Sequence, residues 1–464
     1  MYTVYNRYIV PKVIVAFIIE FGLLVALSAL VVYISAIPDE SGRIEFINLV
    51  INSAVVAVVN IMALYFNNVF NVHAFSPRWQ LVKQISRAAA ISTISLIPVI
   101  HILGLNIIIG WALALNVMLL MLTLLSWRII SASLLGINVP DQNILVIGSG
   151  EFAKKIGVDI YARKKRGLHL IGFIDHDPLN LGKPMVNPGV IGVYDDIKNI
   201  VERENIDKII VAPEDRRIQL PMDDLLDLKL KGISIEEGET FKERLLGKIP
   251  IQQLKPSWMV FSDGFKPSRF KEVVKRISDL LLSVILLVIT LPIMILTAIA
   301  IKIESRGPVI YSQRRVGALG RIFTIYKFRS MKIDAEDNSG PVWASQNDSR
   351  TTKIGGMLRK SRIDELPQLI NVFKGEMSFV GPRPERPCFV EDLESDIPYF
   401  KLRTYVKPGI TGWAQVKYKY GATVEDAIEK LQYDLFYIKN MSMALDIYTV
   451  LCTVKVVLAR VGAR

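Results

Sequence analysis

Two adjacent acids, Asp364 and Glu365 in SRIDELPQL (Ser361 to Leu369), are by type and spacing the residues of this chain best suited to chemistry. They stand just before Pro367, and proline is tolerated in a helix only in its first turn, so both acids belong to a helix N-terminus. The backbone dipole there favours negative charge, which keeps a carboxylate ionised and attracts a phosphate. Such a place suits an acyl-phosphate nucleophile or a magnesium ligand, with helix capping as the plainer alternative. Successive helical residues point about 100° apart, so the two carboxylates divide labour rather than share one proton.

Cations lie close by in sequence. YKFRSM (Tyr326 to Met331) sets Lys327 and Arg329 at alternate positions, on one face of a strand, where they can clasp phosphate oxygens or simply be solvated. MSFVGPRPER (Met377 to Arg386) reads as a strand stopped by Gly381, Pro382 and Pro384, with Arg383 held between prolines. A guanidinium on so stiff a backbone loses little entropy when it grips phosphate bidentately. KPGITGWAQV (Lys407 to Val416) is a Pro-Gly turn followed by Gly412 and Trp413, whose indole stacks on a base or anchors at a membrane interface.

The elements that must position these residues begin in a membrane. The chain has 464 residues, 51% of them hydrophobic, and a formal net charge of +12, a combination that indicates a membrane protein with cytoplasmic domains. Cys388 and Cys452 are the two cysteines and the four histidines lack ligand spacing, which argues against a disulfide framework or a zinc site. The basic excess clusters beside apolar runs and anion-binding motifs. Anionic lipid headgroups and a phosphorylated substrate are therefore the expected partners, not nucleic acid.

Four apolar stretches, near 9–37, 44–66, 88–109 and 111–130, each approach the ~20 residues that a helix needs to cross hydrocarbon. The first lacks a small-residue cleavage site and is expected to stay as an anchor. Arg7 and Lys12 precede the first run, Arg78, Lys83 and Arg87 separate the second from the third, and Arg128 closes the fourth; the turns at 38–43 and 105–106 are nearly free of basic residues. By the positive-inside rule both ends of this region (1–135) face the cytoplasm, with His101 as interfacial decoration near the turn of a tight helical pair. A second apolar segment, 280–301, is interrupted by Pro292 and has basic residues on both flanks: Lys271, Lys275 and Arg276 before it, Lys302, Arg306, Arg314 and Arg315 after it. Both flanks favour the cytoplasm, which predicts a re-entrant hairpin bent at Pro292 rather than a fifth crossing, with Thr290 or Ser283 satisfying the carbonyl that the proline strands. The last apolar segment, 441–458, carries Asp446 and Lys455 and is expected to pack or lie at the interface.

Between these parts, NILVIGSG (Asn143 to Gly150) reads as a buried strand running into a glycine turn and a helix. Gly148, Gly150 and Ala153 fit G-x-G-x-x-A, a possible nucleotide turn, and Asp175 ends the next strand where a ribose-binding acid would sit. Strands at 208–212 and 233–236 alternate with helices, predicting a parallel Rossmann-like sheet over 141–250, either regulatory or oligomerising. Tyr161/Lys165 and Tyr194/Lys198 match the letters of a dehydratase Tyr-x-x-x-Lys pair but come too early in the chain.

KFRSM, DELPQL, VGPRP and KPGITGWAQV, in that order from Lys271 onward, resemble the bacterial sugar transferases, also called monotopic phosphoglycosyl transferases. The helical front and glycine-turn middle resemble the large form of that family, and PSWMVFSDGF (Pro256 to Phe265) and KYKYGATVEDA (Lys417 to Ala427) its exosortase-associated exopolysaccharide branch. The resemblance implies an inner-membrane enzyme with a linker (251–270), a re-entrant helix (271–303) and an α/β catalytic domain (304–464) on the cytoplasmic face. It implies that Asp364 attacks the sugar-bearing phosphorus of a UDP-sugar, releases UMP and is relieved by polyprenyl phosphate. In that scheme Glu365 holds Mg2+, Lys327, Arg329 and Arg383 bind phosphates, and Arg315 from QRRVG is a further candidate. Where many relatives carry Ser-Pro at the membrane bend, this chain has Leu291-Pro292, with Thr290 as a substitute hydroxyl. A homodimer is expected. The alternatives are a membrane-bound NAD-dependent nucleotide-sugar dehydratase, which leaves the later motifs unexplained, and a non-enzymatic polysaccharide export factor, which needs large periplasmic segments.

Overall fold

The computed structural model describes residues 2–4, 7–9, 11–35, 46–67, 69, 78–104, 109–134, 142–162, 167–213, 220–251, 264–265, 268–332, 350–418, 421 and 423–458. The turns at 38–43 and 105–106 and most of the segment 251–270, including nearly all of PSWMVFSDGF, lie outside them. The chain divides into two compact units, Met1–Gly238 and Glu239–Arg464.

The first unit opens with a short antiparallel hairpin, β1 (Tyr2–Val4) and β2 (Arg7–Ile9). Four helices follow: α1 (Pro11–Ser35), α2 (Phe46–Phe66), α3 (Arg78–Leu103) and α4 (Ile109–Leu134). Each contains a stretch long and apolar enough to cross a membrane. Helices are the natural solution there, since they satisfy their backbone groups internally where lipid offers no partner. Leu24, Leu64, Ile85, Leu120 and Leu124 pack their interior. A polar layer crosses that interior, where the Asn60 side chain hydrogen-bonds Ser28, Ser92 and Asn116, one residue from each of the other three helices. Glu20 and Arg128 form a buried ion pair at 3.0 Å, and Arg128 also donates to the Val69 carbonyl at 2.9 Å.

The rest of this unit is a five-stranded parallel sheet: β3 (Gln142–Ile147), β4 (Leu168–Asp175), β5 (Val190–Val193), β6 (Lys208–Val211) and β7 (Ser234–Glu237), in the order β5-β4-β3-β6-β7. Starting at the centre and growing to both sides is the doubly wound arrangement the alternating pattern predicts. Gly148, directly after β3, has φ +117°, and a side chain on it would collide with the Ala212 carbonyl at the end of β6. The glycine is therefore required by the packing of two strand ends. Gly150 begins the helix α5 (Glu151–Tyr161) from an extended conformation. The Asp175 carboxylate is engaged by its own loop, accepting from the Asp177 amide at 3.1 Å and lying 2.7 Å from His176 Nδ1.

In the second unit, Arg269–Glu304 is one unbroken helix with Pro292 inside it, not two helices separated by a turn. Thr290 donates to the Leu286 carbonyl at 2.7 Å and Ser283 to the Leu280 carbonyl at 2.9 Å. Neither hydroxyl meets the Val288 carbonyl, the one that a proline at 292 strands, because each reaches the carbonyl three or four residues back from itself. Both ends of this helix dock on the remainder of the same unit. Near its start, Asp279 accepts from the Phe379 amide and Arg276 donates to the Val372 and Phe373 carbonyls; at its end, Glu304 accepts from the Ile354 amide and Ile301 packs with Phe328 and Leu358.

An antiparallel hairpin follows, β8 (Ile310–Val316) and β9 (Ile322–Phe328), then helices at Lys353–Ser361 and Gln368–Lys374 joined by a single turn, Ile363–Glu365. β10 (Ser378–Val380) pairs in parallel with β11 (Gly409–Thr411). The closing helix, Met443–Leu458, packs through Asp446, which lies 2.7 Å from both Lys275 Nζ and the Tyr437 hydroxyl.

Candidate active site

The two acids sit in a one-turn 3-10 helix that begins where Arg362 takes a left-handed conformation, φ 59°. This breaks the preceding helix abruptly and aims the next turn inward. Asp364 and Glu365 are each 7% exposed. Pro367 then starts the helix Gln368–Lys374, as the sequence predicts. That helix is locked to β9 by the fully buried Asn371, whose side chain donates to the Thr324 carbonyl at 2.7 Å and accepts from the Tyr326 amide at 3.2 Å. Lys327, the residue after Tyr326, is thereby held in a set position relative to the acids.

Three cations converge on Glu365: Arg383 at 3.0 Å, Lys327 at 3.2 Å and Arg362 at 3.4 Å. Burial by itself would raise the Glu365 carboxyl, but the charges of Lys327, Arg383 and Arg362 outweigh it and hold the group well below the usual carboxylate range. Asp364 fares oppositely. Burial, and then the charge of Glu365, push it up to about 6 against the pull of the same cations. Its Oδ1 is buried without a hydrogen-bond partner. A helix N-terminus thus does not dominate here; desolvation does. Burial likewise lowers Lys327, with Glu365 opposing.

Not every expected cation reaches the acids. Arg329 lies one residue beyond β9 and donates to the carbonyls of Ser305 and Arg306, both at 2.9 Å, and to the Ser305 hydroxyl at 2.8 Å. It caps the end of the long helix, where a cation suits the dipole. Arg315 donates to the Pro384 carbonyl at 3.1 Å and lies 3.7 Å from Glu385, so it holds the Arg383 loop. The Trp413 indole belongs to the core rather than to an exposed stacking or anchoring surface. It is buried against Phe436 and donates to the Gly247 carbonyl at 2.8 Å. Arg362 and Asn371 went unnoticed in the sequence, although Arg362 stands three residues before Glu365, the spacing of a helical ion pair.

Glycines bring the remaining motifs together. Gly381 donates to the Thr411 carbonyl and Gly409 to the Pro382 carbonyl, both at 2.9 Å, and side chains at either position would strike the other backbone. VGPRP and KPGITGW are thus two halves of one tightly packed crossing that presents Arg383.

Among the described residues no group of three or more metal-ligating side chains occurs. A magnesium ion bound by one or two carboxylates needs no such group, because substrate phosphates and water supply its other ligands. The unpartnered Asp364 oxygen beside Glu365 fits that kind of site.

A profile of the bacterial sugar transferases matches residues 270–460. The exopolysaccharide production protein PSS of Rhizobium leguminosarum bv. phaseoli is 37% identical over 191 residues, 39% of this chain and 94% of that protein. The chain belongs to the bacterial sugar transferase family. Similar members include the UDP-N-acetylgalactosamine-undecaprenyl-phosphate N-acetylgalactosaminephosphotransferase of Aeromonas hydrophila, 42% identical over 51% of this chain and 55% of that protein. The UDP-glucose:undecaprenyl-phosphate glucose-1-phosphate transferase of Xanthomonas campestris pv. campestris is 35% identical over 63% of this chain and 57% of its own length. The chain thus spans little more than half the length of these two sugar transferases. The match to the family profile contains all the residues gathered around Asp364 and Glu365.

Proposed function

We propose that this chain transfers a sugar-1-phosphate from a UDP-sugar to undecaprenyl phosphate through a phospho-aspartyl intermediate on Asp364, as the first membrane step of exopolysaccharide biosynthesis. The observation that carries the proposal is a buried aspartate with an unpartnered oxygen, next to a glutamate clasped by Lys327, Arg383 and Arg362. Two acids and three cations leave one surplus positive charge when both acids are ionised, so an incoming diphosphate is welcomed.

With its carboxyl at about 6, Asp364 is roughly nine-tenths ionised at neutral pH and needs no general base. Its carboxylate oxygen attacks the sugar-bearing phosphorus. The bond to the bridging oxygen breaks, and UMP leaves with the electron pair. An oxygen of undecaprenyl phosphate then attacks the same phosphorus, breaks the acyl-phosphate bond and returns Asp364 to its carboxylate form. Lys327, Arg383 and Arg362 would shift from Glu365 to phosphate oxygens as the donor enters, stabilising charge where it develops. Glu365, so released, would hold Mg2+, whose contribution is to neutralise phosphate charge.

The names of relatives suggest UDP-glucose and UDP-N-acetylgalactosamine as donors to test. The catalytic unit is proposed to lie on the cytoplasmic face of the inner membrane, with the long helix dipping into one leaflet and bending near Pro292. Support comes from the docking of both helix ends on one unit: a straight helix would separate Arg276 from Glu304 by about 42 Å. The Thr290 hydroxyl bonded to the carbonyl four residues back favours a bend at the same place. The dehydratase alternative leaves the acids and cations gathered at Asp364 and Glu365 without a role.

The test is release of UMP by purified protein with Mg2+ and undecaprenyl phosphate. Asp364→Asn is expected to lower turnover by at least about 1,000-fold. Turnover by that variant equal to wild type would remove the nucleophile.

A further inference from the structure

Pro382, Arg383, Pro384 and Glu385 are held through their carbonyls, and the prolines explain why: neither has an N–H to give. The Pro382 carbonyl accepts from Gly409 N at 2.9 Å, Arg383 from Arg403 Nη2 at 3.0 Å, Pro384 from Arg315 Nη1 at 3.1 Å and Glu385 from Val316 N at 3.0 Å. One of these donors differs from the others in how it is itself held. Arg403 Nη2 also stands 3.0 Å from Asp434, an acid 2% exposed on the helix Val424–Lys439, and Nη1 lies 4.0 Å from Glu385. The guanidinium rests over the Phe400 ring at 5.0 Å. A single nitrogen thus joins a buried acid to the backbone of the residue whose own guanidinium reaches Glu365.

Burying an acid against one close cation gains little stability over apolar packing. Its value is geometric, because the charge of Asp434 draws Arg403 to the place where Nη2 donates to the carbonyl of Arg383. We propose that Arg403, oriented by Asp434, is a positioning residue for the transfer reaction, holding the Arg383 backbone so that its guanidinium meets the donor diphosphate. This rests on the transferase function proposed above. Neither residue touches Asp364 or Glu365, and the proposed effect on them runs through Arg383.

The test is a double-mutant cycle on the full chain, reading UMP release from whichever of UDP-glucose and UDP-N-acetylgalactosamine the wild type uses. Arg403→Lys, which keeps a charge near Asp434 but loses the planar fork, is expected to raise KM for the UDP-sugar about tenfold with kcat changed less than about threefold. In an Arg383→Gln background the same change should cost less than about twofold, since the group being positioned is gone. Equal losses in both backgrounds would overturn the proposal, as would wild-type kinetics for Arg383→Gln. Should Arg403→Lys not fold, Asp434→Asn goes through the same cycle, with non-additivity expected and additivity again overturning it. A wild type that releases no UMP from either donor would instead defeat the function on which the proposal rests.

Discussion

Asp364 and Glu365 share a turn and a depth of burial, yet their carboxyls move in opposite directions. The difference lies in which side chains each can reach. Successive residues of a 3-10 turn point about 120° apart, so Glu365 faces Lys327, Arg383 and Arg362 while Asp364 keeps an oxygen free. If Asp364 is the nucleophile proposed above, desolvation decides how its reactivity changes with pH. An acid raised to about 6 must lose its proton to attack, so single-turnover UMP release should rise tenfold per unit below that value and level off above it. The rate is lost as pH falls through about 6. A profile that stays flat from about pH 7 down to about pH 5 would show that the attacking group titrates elsewhere.

At the scale of elements, the unit that carries the candidate site is tied to its long helix through helix ends. Arg276 meets the Val372 and Phe373 carbonyls near the end of Gln368–Lys374, Glu304 the Ile354 amide at the start of Lys353–Ser361, and Arg329 the Ser305 and Arg306 carbonyls just past the long helix. Each contact sets a charge against a helix terminus of opposite partial charge. These contacts fix the long helix to the elements on either side of the acid turn. If that helix dips into one leaflet and returns, single cysteines at Lys271 and at Lys302 should both resist a membrane-impermeant maleimide in intact cells and both react after permeabilisation. Labelling of one position in intact cells would establish a crossing.

At the scale of the molecule, every group gathered at the candidate site comes from the second compact unit, Glu239–Arg464. The piece from Glu239 to Ile251 belongs with the elements of the candidate site: Glu243 receives Lys439 at 2.7 Å and Asn440 at 3.1 Å, and the Gly247 carbonyl accepts from Trp413. Residues 239–464 alone should therefore release UMP with kcat within about tenfold of the full chain, whereas a version starting at Lys271 loses these contacts and should be less stable. Loss of turnover by the longer fragment in a folded state would assign the first unit a part in the chemistry. The four-helix region meanwhile carries its own lock, the Asn60 layer, in a medium where an unsatisfied polar group is costly.

Features that depend on near neighbours were legible in the sequence: the apolar helices from their length, the parallel sheet from alternating strands and helices, and the acid turn from Pro367. The rest depended on contacts between distant segments. Lys327 and Glu365 stand 38 residues apart and Glu365 and Arg383 18 apart, and the docking of Asn371 on β9 and the crossing of two glycine motifs help bring them together. The same long-range packing turned Arg329 to a helix end, Arg315 to the loop and Trp413 into the core. Local pattern specifies which residues are charged and how they are spaced; which of them meet, and how much water each loses, is set by the tertiary fold, and those two quantities determine both partner choice and pKa.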